Sequence, residues 1–136
     1  MPEKICVAVY GTLKRNGSNH SLLSGSKFIG IGGTPPNYSL LEMGSFPGAI
    51  YGQSKLQVEV FEVNAKTLAR LDQLEGHPSF YERLLVPISL DNGETTLAWM
   101  YTIGHLGSNY SHRPRCTTLD EFNRISWEYD CERNTW

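Results

Sequence analysis

Cysteine is scarce in this sequence, and its spacing excludes two common kinds of small-domain scaffold. The chain of 136 residues has three cysteines, at positions 6, 116 and 131. Their number is odd, they lie far apart and no CxxC pair occurs, so neither a disulfide framework nor a zinc site is indicated. We therefore expect no bound metal, and a reducing cytoplasm is the simplest compartment for the protein.

The sequence also lacks an excess of charge and a long apolar run. Its formal net charge is -2, and its basic residues are scattered singly rather than gathered in a stripe. Nucleic acid is therefore not an expected partner. The apolar run near the N-terminus, from Ile5 to Val9, is too short for a signal peptide or a membrane span. We expect a chain that neither binds nucleic acid nor enters a membrane.

Several familiar catalytic and nucleotide-binding motifs are missing. The turn after the first apolar segment has no P-loop ending, and Gly30-Ile31-Gly32-Gly33 does not complete a GxGxxG fingerprint. The four histidines form no HExxH pattern, and no serine lies in a GxSxG elbow. These absences disfavour nucleotide-binding, metalloenzyme and serine-hydrolase functions.

One segment of the chain has clear helix start and stop signals. Asn64 is a suitable N-cap for a helix from Ala65, and Gly76 suits the left-handed position that ends it. Between them, leucines at 68, 71 and 74 form an apolar stripe. At about 100° per residue, Glu75 falls within roughly 20° of Leu68 on the helical wheel. Its carboxylate should therefore lean toward the core.

The rest of the pattern predicts mostly strands. The first strand, Lys4 to Tyr10, is apolar on both faces and should be central. Strands from Arg83 to Leu90 and from Thr95 to Tyr101 flank Asp91-Asn92-Gly93, whose Asn-Gly pair favours a type I′ hairpin. The other predicted elements are a short helix through Leu22 and Leu23 capped by Ser18 or Asn19, strands at 27–33, 38–41, 49–51 and 58–63, and a helix from Leu119 to about Glu132 capped by Thr118.

These elements predict an α+β fold, a small mixed or antiparallel β-barrel with short helices. The length fits one domain over residues 1–136, with a core at about 4–103 and a C-terminal extension at about 104–136. In that extension, Trp127, Tyr129 and Trp136 are suited to cover the barrel, line its mouth or contact another copy. Small-ligand sites favour the mouths of such barrels.

Two segments carry residues suited to chemistry. The first strand leads into a glycine turn, Tyr10-Gly11-Thr12-Leu13, where backbone N–H groups can form an anion cradle. Glu75 ends an apolar helix face, where burial and the helix dipole both raise a carboxyl pKa and favour a general base. Each feature also has an ordinary explanation, because such a glutamate is usually solvated and a Tyr-Gly pair often only ends a strand. Together they suggest chemistry on a small zwitterion.

The motifs occur in the order typical of one enzyme superfamily. Tyr10-Gly11-Thr12-Leu13, then Pro47-Gly48-Ala49, then Leu71 to Gly76 followed by Pro78, Tyr81 and Arg83 resemble the γ-glutamylcyclotransferase-like superfamily, in particular its small γ-glutamylamine cyclotransferase-type members. The resemblance covers about residues 6–103. It implies a mixed-strand barrel in which Tyr10, Gly11, Thr12 and Leu13 hold the substrate's amino acid end, with Glu75 as the catalytic base.

The reaction that the resemblance implies is an intramolecular aminolysis. The α-amine of a γ-glutamyl group attacks its own γ-carbonyl, forms 5-oxoproline and releases an amine, with no metal or organic cofactor. Asp72 is expected on the flank of the helix as a partner of Arg83, while Tyr81 and Arg83 are candidate supporting residues. Two other classes stay open: the same scaffold acting on a different acyl-transfer substrate, and a non-catalytic module that binds a small metabolite or a protein.

Overall fold

The structure, a computed structural model, describes residues 5–15, 17–42, 47–103 and 117–127. Within these ranges the chain forms nine β-strands, one α-helix and one 3₁₀ helix. In chain order they are β1 (Ile5–Val9), the 3₁₀ helix (His20–Leu23), β2 (Lys27–Gly33), β3 (Tyr38–Glu42), β4 (Pro47–Tyr51), β5 (Lys55–Val63), α1 (Ala65–Glu75), β6 (Glu82–Leu90), β7 (Thr95–Thr102), β8 (Thr117–Leu119) and β9 (Arg124–Trp127). No helix in the described ranges is long and apolar enough to cross a membrane.

Five of the strands close into a barrel, as the sequence predicts. Their order is β1-β7-β6-β2-β5, and β5 returns to pair with β1. The β1–β7 pair is parallel, with Val7 opposite Trp99, and the other four pairs are antiparallel. The mixed α+β barrel is therefore confirmed. Every strand of this closed barrel, β1 included, has a neighbour on each side, and β1 is largely buried along its length, as its apolar pattern predicts.

The apolar residues form two layers, one inside the barrel and one between the barrel and α1. Residues on the two faces of β1 illustrate the division, since Ala8 faces the interior and Val7 the outer layer. The interior layer includes Val58, Val60, Ile88 and Met100, and the outer layer includes Val9, Phe61, Leu71, Tyr81 and Tyr101. This outer layer is the one against which the helix carrying Glu75 packs.

The predicted helix and both of its caps are confirmed. The Asn64 side chain accepts a hydrogen bond from the amide of Thr67 at 2.8 Å, and Gly76 ends the helix with φ 67°. Leu71 is buried, but Leu74, predicted to lie on the same stripe, is 43% exposed. The reason is angular, because at about 100° per residue Leu74 lies roughly 60° from Leu71, whereas Glu75 lies only about 40° away.

The hairpin of β6 and β7 is confirmed, but its predicted type I′ turn is wrong. A type I′ turn needs positive φ at both central residues, and of Asp91-Asn92-Gly93 only Gly93 has it, at 93°. The Gly93 amide donates to Leu90 O at 2.9 Å, and the Leu90 amide donates to Glu94 O at 2.8 Å. The loop is therefore a three-residue connection in which glycine supplies the left-handed residue.

The C-terminal helix predicted from Leu119 to Glu132 is also wrong. The described part of that range holds the end of β8 and all of β9, which pair antiparallel around a tight turn, while Glu132 lies outside the described residues. Asp120 makes the turn by accepting from the amides of Phe122 and Arg124, each at 2.9 Å. Such side-chain acceptors compete with helix formation.

Contacts with the barrel also favour a strand over a helix in this C-terminal segment. The first two residues of β5 pair in parallel with β9, and Ile125 and Trp127 are buried in the interior layer. Of the three aromatic residues noted in the tail, Trp127 thus packs in the core, and Tyr129 and Trp136 lie outside the described residues. At the other end of the chain, the predicted short helix is a single 3₁₀ turn, which Asn19 precedes without a side-chain capping bond.

Candidate active site

Glu75 occupies the last position of α1, where the helix meets the barrel. Burial raises the pKa of its carboxyl group from the ordinary 4.5 to about 7. No described residue donates a hydrogen bond to this carboxylate or forms an ion pair with it. A carboxylate in that state is an effective proton acceptor near neutral pH, because no described residue stabilises its charged form.

Three tyrosines lie near Glu75, and the hydroxyl group of each donates a hydrogen bond to an acceptor other than Glu75. Tyr10 Oη donates to Tyr101 O at 2.8 Å and accepts from the amide of Ala49 at 2.9 Å. Tyr81 Oη donates to Pro47 O at 2.8 Å, and Tyr101 Oη donates to a carboxylate described below. Burial, with the nearby charge of Glu75 as a further cause, raises the pKa of all three phenols. They therefore stay protonated at neutral pH.

The glycine turn presents backbone donors. Gly11 O accepts from the Lys14 amide at 3.0 Å, and Thr12 O accepts from the Asn19 amide at 2.9 Å. The carbonyl groups of the turn are thus used, whereas the amides of Thr12 and Leu13 meet no acceptor in the parts of the chain that are described. These two N–H groups are the ones that the predicted anion cradle would use.

Contacts on several sides fix the conformation of this turn. The Arg15 amide donates to the buried Glu59 carboxylate at 2.8 Å, and Lys14 Nζ donates to Trp127 O at 3.1 Å. On another side, a Cβ added to Gly11 would lie 2.8 Å from Cγ of Pro47. Only glycine allows that approach, so the turn and Pro47 define each other's positions.

An ion-pair cluster joins the end of α1 to the β6–β7 hairpin. Asp72 Oδ1 accepts from Arg83 Nε at 2.8 Å and from Tyr101 Oη at 2.6 Å. Arg83 also lies over the Trp99 ring, 4.4 Å from its centroid, and its amide donates to Nδ1 of His77 at 3.3 Å. Burial alone would raise the pKa of Asp72, but the hydrogen bonds from Arg83 and Tyr101 lower it. The expected pairing of Asp72 with Arg83 is confirmed.

The structure thus brings several of the residues named from the sequence into one neighbourhood. Tyr10 and Glu75 are close enough for the charge of Glu75 to affect the Tyr10 pKa, and Pro47 bridges the turn and Tyr81. Sequence reasoning missed Tyr101, the residue that connects Tyr10 to Asp72. The sequence feature that could have indicated Tyr101 is the length of the loop between β6 and β7. This length sets the register of the hairpin, which places Tyr101 opposite Arg83.

Among the described residues, the candidate site holds no metal-binding cluster and does not coincide with a cleft on another part of the barrel. In the part of the chain that the structure describes, no group of three or more histidine, cysteine, aspartate or glutamate side chains is placed to hold a metal ion. A cleft of about 330 Å³ lies elsewhere, among residues that include Pro35, Lys55, Asp91, Phe122 and Arg124. None of the candidate site residues lines it, so it is a separate feature.

Comparison with known proteins identifies the family. The sequence model of the family described as gamma-glutamyl cyclotransferase, AIG2-like, matches residues 7–132. A Methanocaldococcus jannaschii protein with a provisional gamma-glutamylcyclotransferase name is 43% identical over 98 residues, which cover 70% of this chain and 81% of that protein. The Escherichia coli family protein YtfP is 30% identical over 95 residues, covering 70% of this chain and 79% of YtfP.

A solved structure agrees with the sequence comparisons. The crystal structure of an AIG2-like protein of Mus musculus superposes with a TM-score of 0.73 at 26% identity, covering 82% of this chain and 85% of the mouse chain. The chain therefore belongs to the AIG2-like gamma-glutamylcyclotransferase family. The family match extends to residue 132 and so includes the β8–β9 hairpin.

Proposed function

We propose that this protein is a γ-glutamylcyclotransferase that converts a γ-glutamyl amine or γ-glutamyl amino acid into 5-oxoproline and a free amine. The observation that carries the proposal is the Glu75 carboxylate, which in a chain of this family lies partly buried and receives no hydrogen bond from any described residue. The substrate is a small molecule, and we expect the reaction to take place in the cytoplasm.

The first step is proton removal from the substrate. The α-amino group of a γ-glutamyl compound has a pKa of about 8, so it is mostly protonated at neutral pH and cannot attack. Glu75, with a pKa of about 7, is close enough in basicity to accept that proton and still be ionised at neutral pH. A solvated glutamate would be a far weaker base.

Ring closure then follows within one molecule. The freed amine attacks the γ-carbonyl carbon and forms the C–N bond of the five-membered ring, while negative charge develops on the carbonyl oxygen. The amides of Thr12 and Leu13 are available either to stabilise that oxygen or to bind the α-carboxylate. Because nucleophile and electrophile belong to the same substrate, the enzyme mainly has to select the folded rotamer.

Collapse of the intermediate completes the reaction. Protonated Glu75 donates its proton to the leaving nitrogen, the γ-carbonyl C–N bond to the leaving group breaks, and the amine departs. The regenerated Glu75 carboxylate then accepts the second proton of the ring nitrogen, which leaves a neutral lactam, and passes this proton to the released amine or to solvent. No water is consumed and no atom is oxidised or reduced, so the residues of the chain suffice to balance the reaction.

The proposal is tested by product formation from a substrate panel. The protein is incubated with γ-glutamyl amines, γ-glutamyl amino acids and glutathione, and 5-oxoproline is measured by mass spectrometry. We expect product from at least one class, with turnover reduced about 100-fold or more in Glu75→Gln. Glu94→Gln, which changes an exposed glutamate, is the matched control and should keep full activity. Equal activity of Glu75→Gln and the wild type would remove Glu75 from the mechanism, and binding without turnover would favour a binding module.

A further inference from the structure

The three tyrosine hydroxyls near Glu75 and the Arg83 Nε group each donate a hydrogen bond to an acceptor other than Glu75. The described titratable or charged groups near Glu75 are Asp72 on α1, His77 in the loop that follows, Tyr10 directly after β1, Tyr81 directly before β6, Arg83 near the start of β6, and Tyr101 on β7. The Tyr10 and Tyr81 hydroxyls donate to backbone carbonyls, and the His77 ring accepts from an amide. Two strong donors, Tyr101 Oη and Arg83 Nε, share a single acceptor.

That acceptor lies very near the candidate base. Asp72 precedes Glu75 by three residues on α1, a spacing that puts the two Cβ atoms about 5–6 Å apart on neighbouring positions of the helix surface. The Tyr101 hydroxyl is 2.6 Å from Asp72 Oδ1, and the Arg83 guanidinium is 2.8 Å from the same oxygen. Without Asp72, Glu75 would be the nearest carboxylate on the same helix for both donors. A donor on Glu75 would stabilise its charged form and weaken it as a base.

We propose that Asp72 is a positioning residue of the candidate site, which acts by holding the Tyr101 hydroxyl and the Arg83 guanidinium away from the Glu75 carboxylate. This inference rests on the proposed function, in which Glu75 takes a proton from the substrate. Asp72 itself need not touch the substrate. Its effect is to keep its neighbour on the helix free of donors, and its signature is therefore the titration of Glu75 rather than the stability of the fold.

The experiment measures the Glu75 titration directly, by carbon-13 NMR of its side-chain carboxyl group in the protein without substrate. Four proteins are compared: the wild type, Asp72→Ala, Asp72→Asn and Asp72→Ala/Tyr101→Phe. We expect the Glu75 midpoint to fall by about one pH unit or more in Asp72→Ala, because the freed donors turn to Glu75. Asp72→Asn keeps an oxygen acceptor for Tyr101 and should stay near the wild type. The double variant lacks one of the two freed donors and should recover part of the fall.

The variants also separate this inference from simpler explanations. Asp72→Ala and Asp72→Asn remove the same negative charge. An equal fall of the Glu75 midpoint in both variants would therefore show that the lost charge, and not the freed donors, lowers it, and would overturn the inference. An unchanged midpoint in Asp72→Ala would likewise overturn the inference. If Asp72→Ala does not fold, Asp72→Ser, whose hydroxyl is too short to replace the carboxylate, gives the same comparison.

Failure of this inference is distinguishable from failure of the proposed function. The NMR titration needs no turnover, so it reads the role of Asp72 even if the protein makes no 5-oxoproline. If the wild type makes 5-oxoproline, the acid limb of its kcat/KM profile should move to lower pH in Asp72→Ala by the same amount as the NMR midpoint. If the wild type makes 5-oxoproline but the Glu75 midpoint is unchanged in Asp72→Ala, the proposed function stands and Asp72 has no part in it.

Discussion

The replacement Glu75→Gln should make the folded protein more stable at alkaline pH while it removes the proposed activity. In the folded chain the pKa of Glu75 is about 7, against 4.5 for an ordinary glutamate. Between these two values the folded state binds more protons at this site than the unfolded state does. The free energy of unfolding of the wild type therefore decreases as pH rises through that window. Glutamine does not titrate, so the variant does not undergo this decrease.

The size of the effect follows from the same two pKa values. At 1.36 kcal/mol per pH unit, the interval from 4.5 to about 7 corresponds to about 3 kcal/mol. Glu75 keeps some contact with solvent, which relaxes around the charge, so we expect a difference of about 1–3 kcal/mol. The advantage of Glu75→Gln over the wild type should be small at pH 5 and should reach this value at pH 8.

Urea denaturation of both proteins at intervals from pH 5 to pH 8 measures this difference. Groups elsewhere that titrate in the same range cancel, since they are common to the two proteins. Glu94→Gln serves as the control, because its exposed carboxylate should give a difference from wild type that changes little with pH. A pH-independent difference for Glu75→Gln would mean that the folded protein does not hold Glu75 in a desolvated position, and the argument for a raised pKa would fail.

Three further predictions follow from the site and from α1. The kcat/KM for 5-oxoproline formation should fall below about pH 7, as Glu75 becomes protonated, and a profile that is flat from pH 5 to pH 7 would contradict a base of that pKa. Gly11→Ala should lower kcat/KM by on the order of 10- to 100-fold in steady-state assays, because its Cβ would lie 2.8 Å from Pro47 Cγ and displace the turn. Asn64→Ala should lower the free energy of unfolding by about 1 kcal/mol in urea denaturation, since the cap on the Thr67 amide is lost, whereas Asn64→Asp should retain most of it.

The elements that were predictable from the sequence are those whose ends are set by local chemistry. Asn64 and Gly76 satisfy the two ends of α1 with groups a few residues away, so the helix could be predicted without knowledge of its packing. The β6–β7 hairpin was likewise predictable, although its turn type depends on the φ of a single residue, Asn92. Strand β2 also has the bounds that its pattern predicts.

The sequence predicted the chemical group at the candidate site better than the hydrogen bonds between its residues. The angular position of Glu75 on α1 already indicated a carboxylate facing the core, and the raised pKa agrees with that expectation. The network through Tyr101 was not predicted, because it depends on which residues of three separate elements meet. Hairpin register placed Arg83 opposite Tyr101, but only the packing of α1 on the barrel brings Asp72 to both.

The C-terminal hairpin shows why local pattern alone was insufficient beyond residue 103. Its sequence is compatible with a helix, yet burial of Ile125 and Trp127 in the barrel and pairing of β9 with β5 favour a strand. The same docking places Trp127 O within 3.1 Å of Lys14 Nζ, the residue directly after the glycine turn. A segment predicted as an extension is thus in contact with the turn that carries the proposed substrate-binding amides. Because a hydrogen bond across 113 residues of chain leaves no local signal, only the folded structure could connect the two.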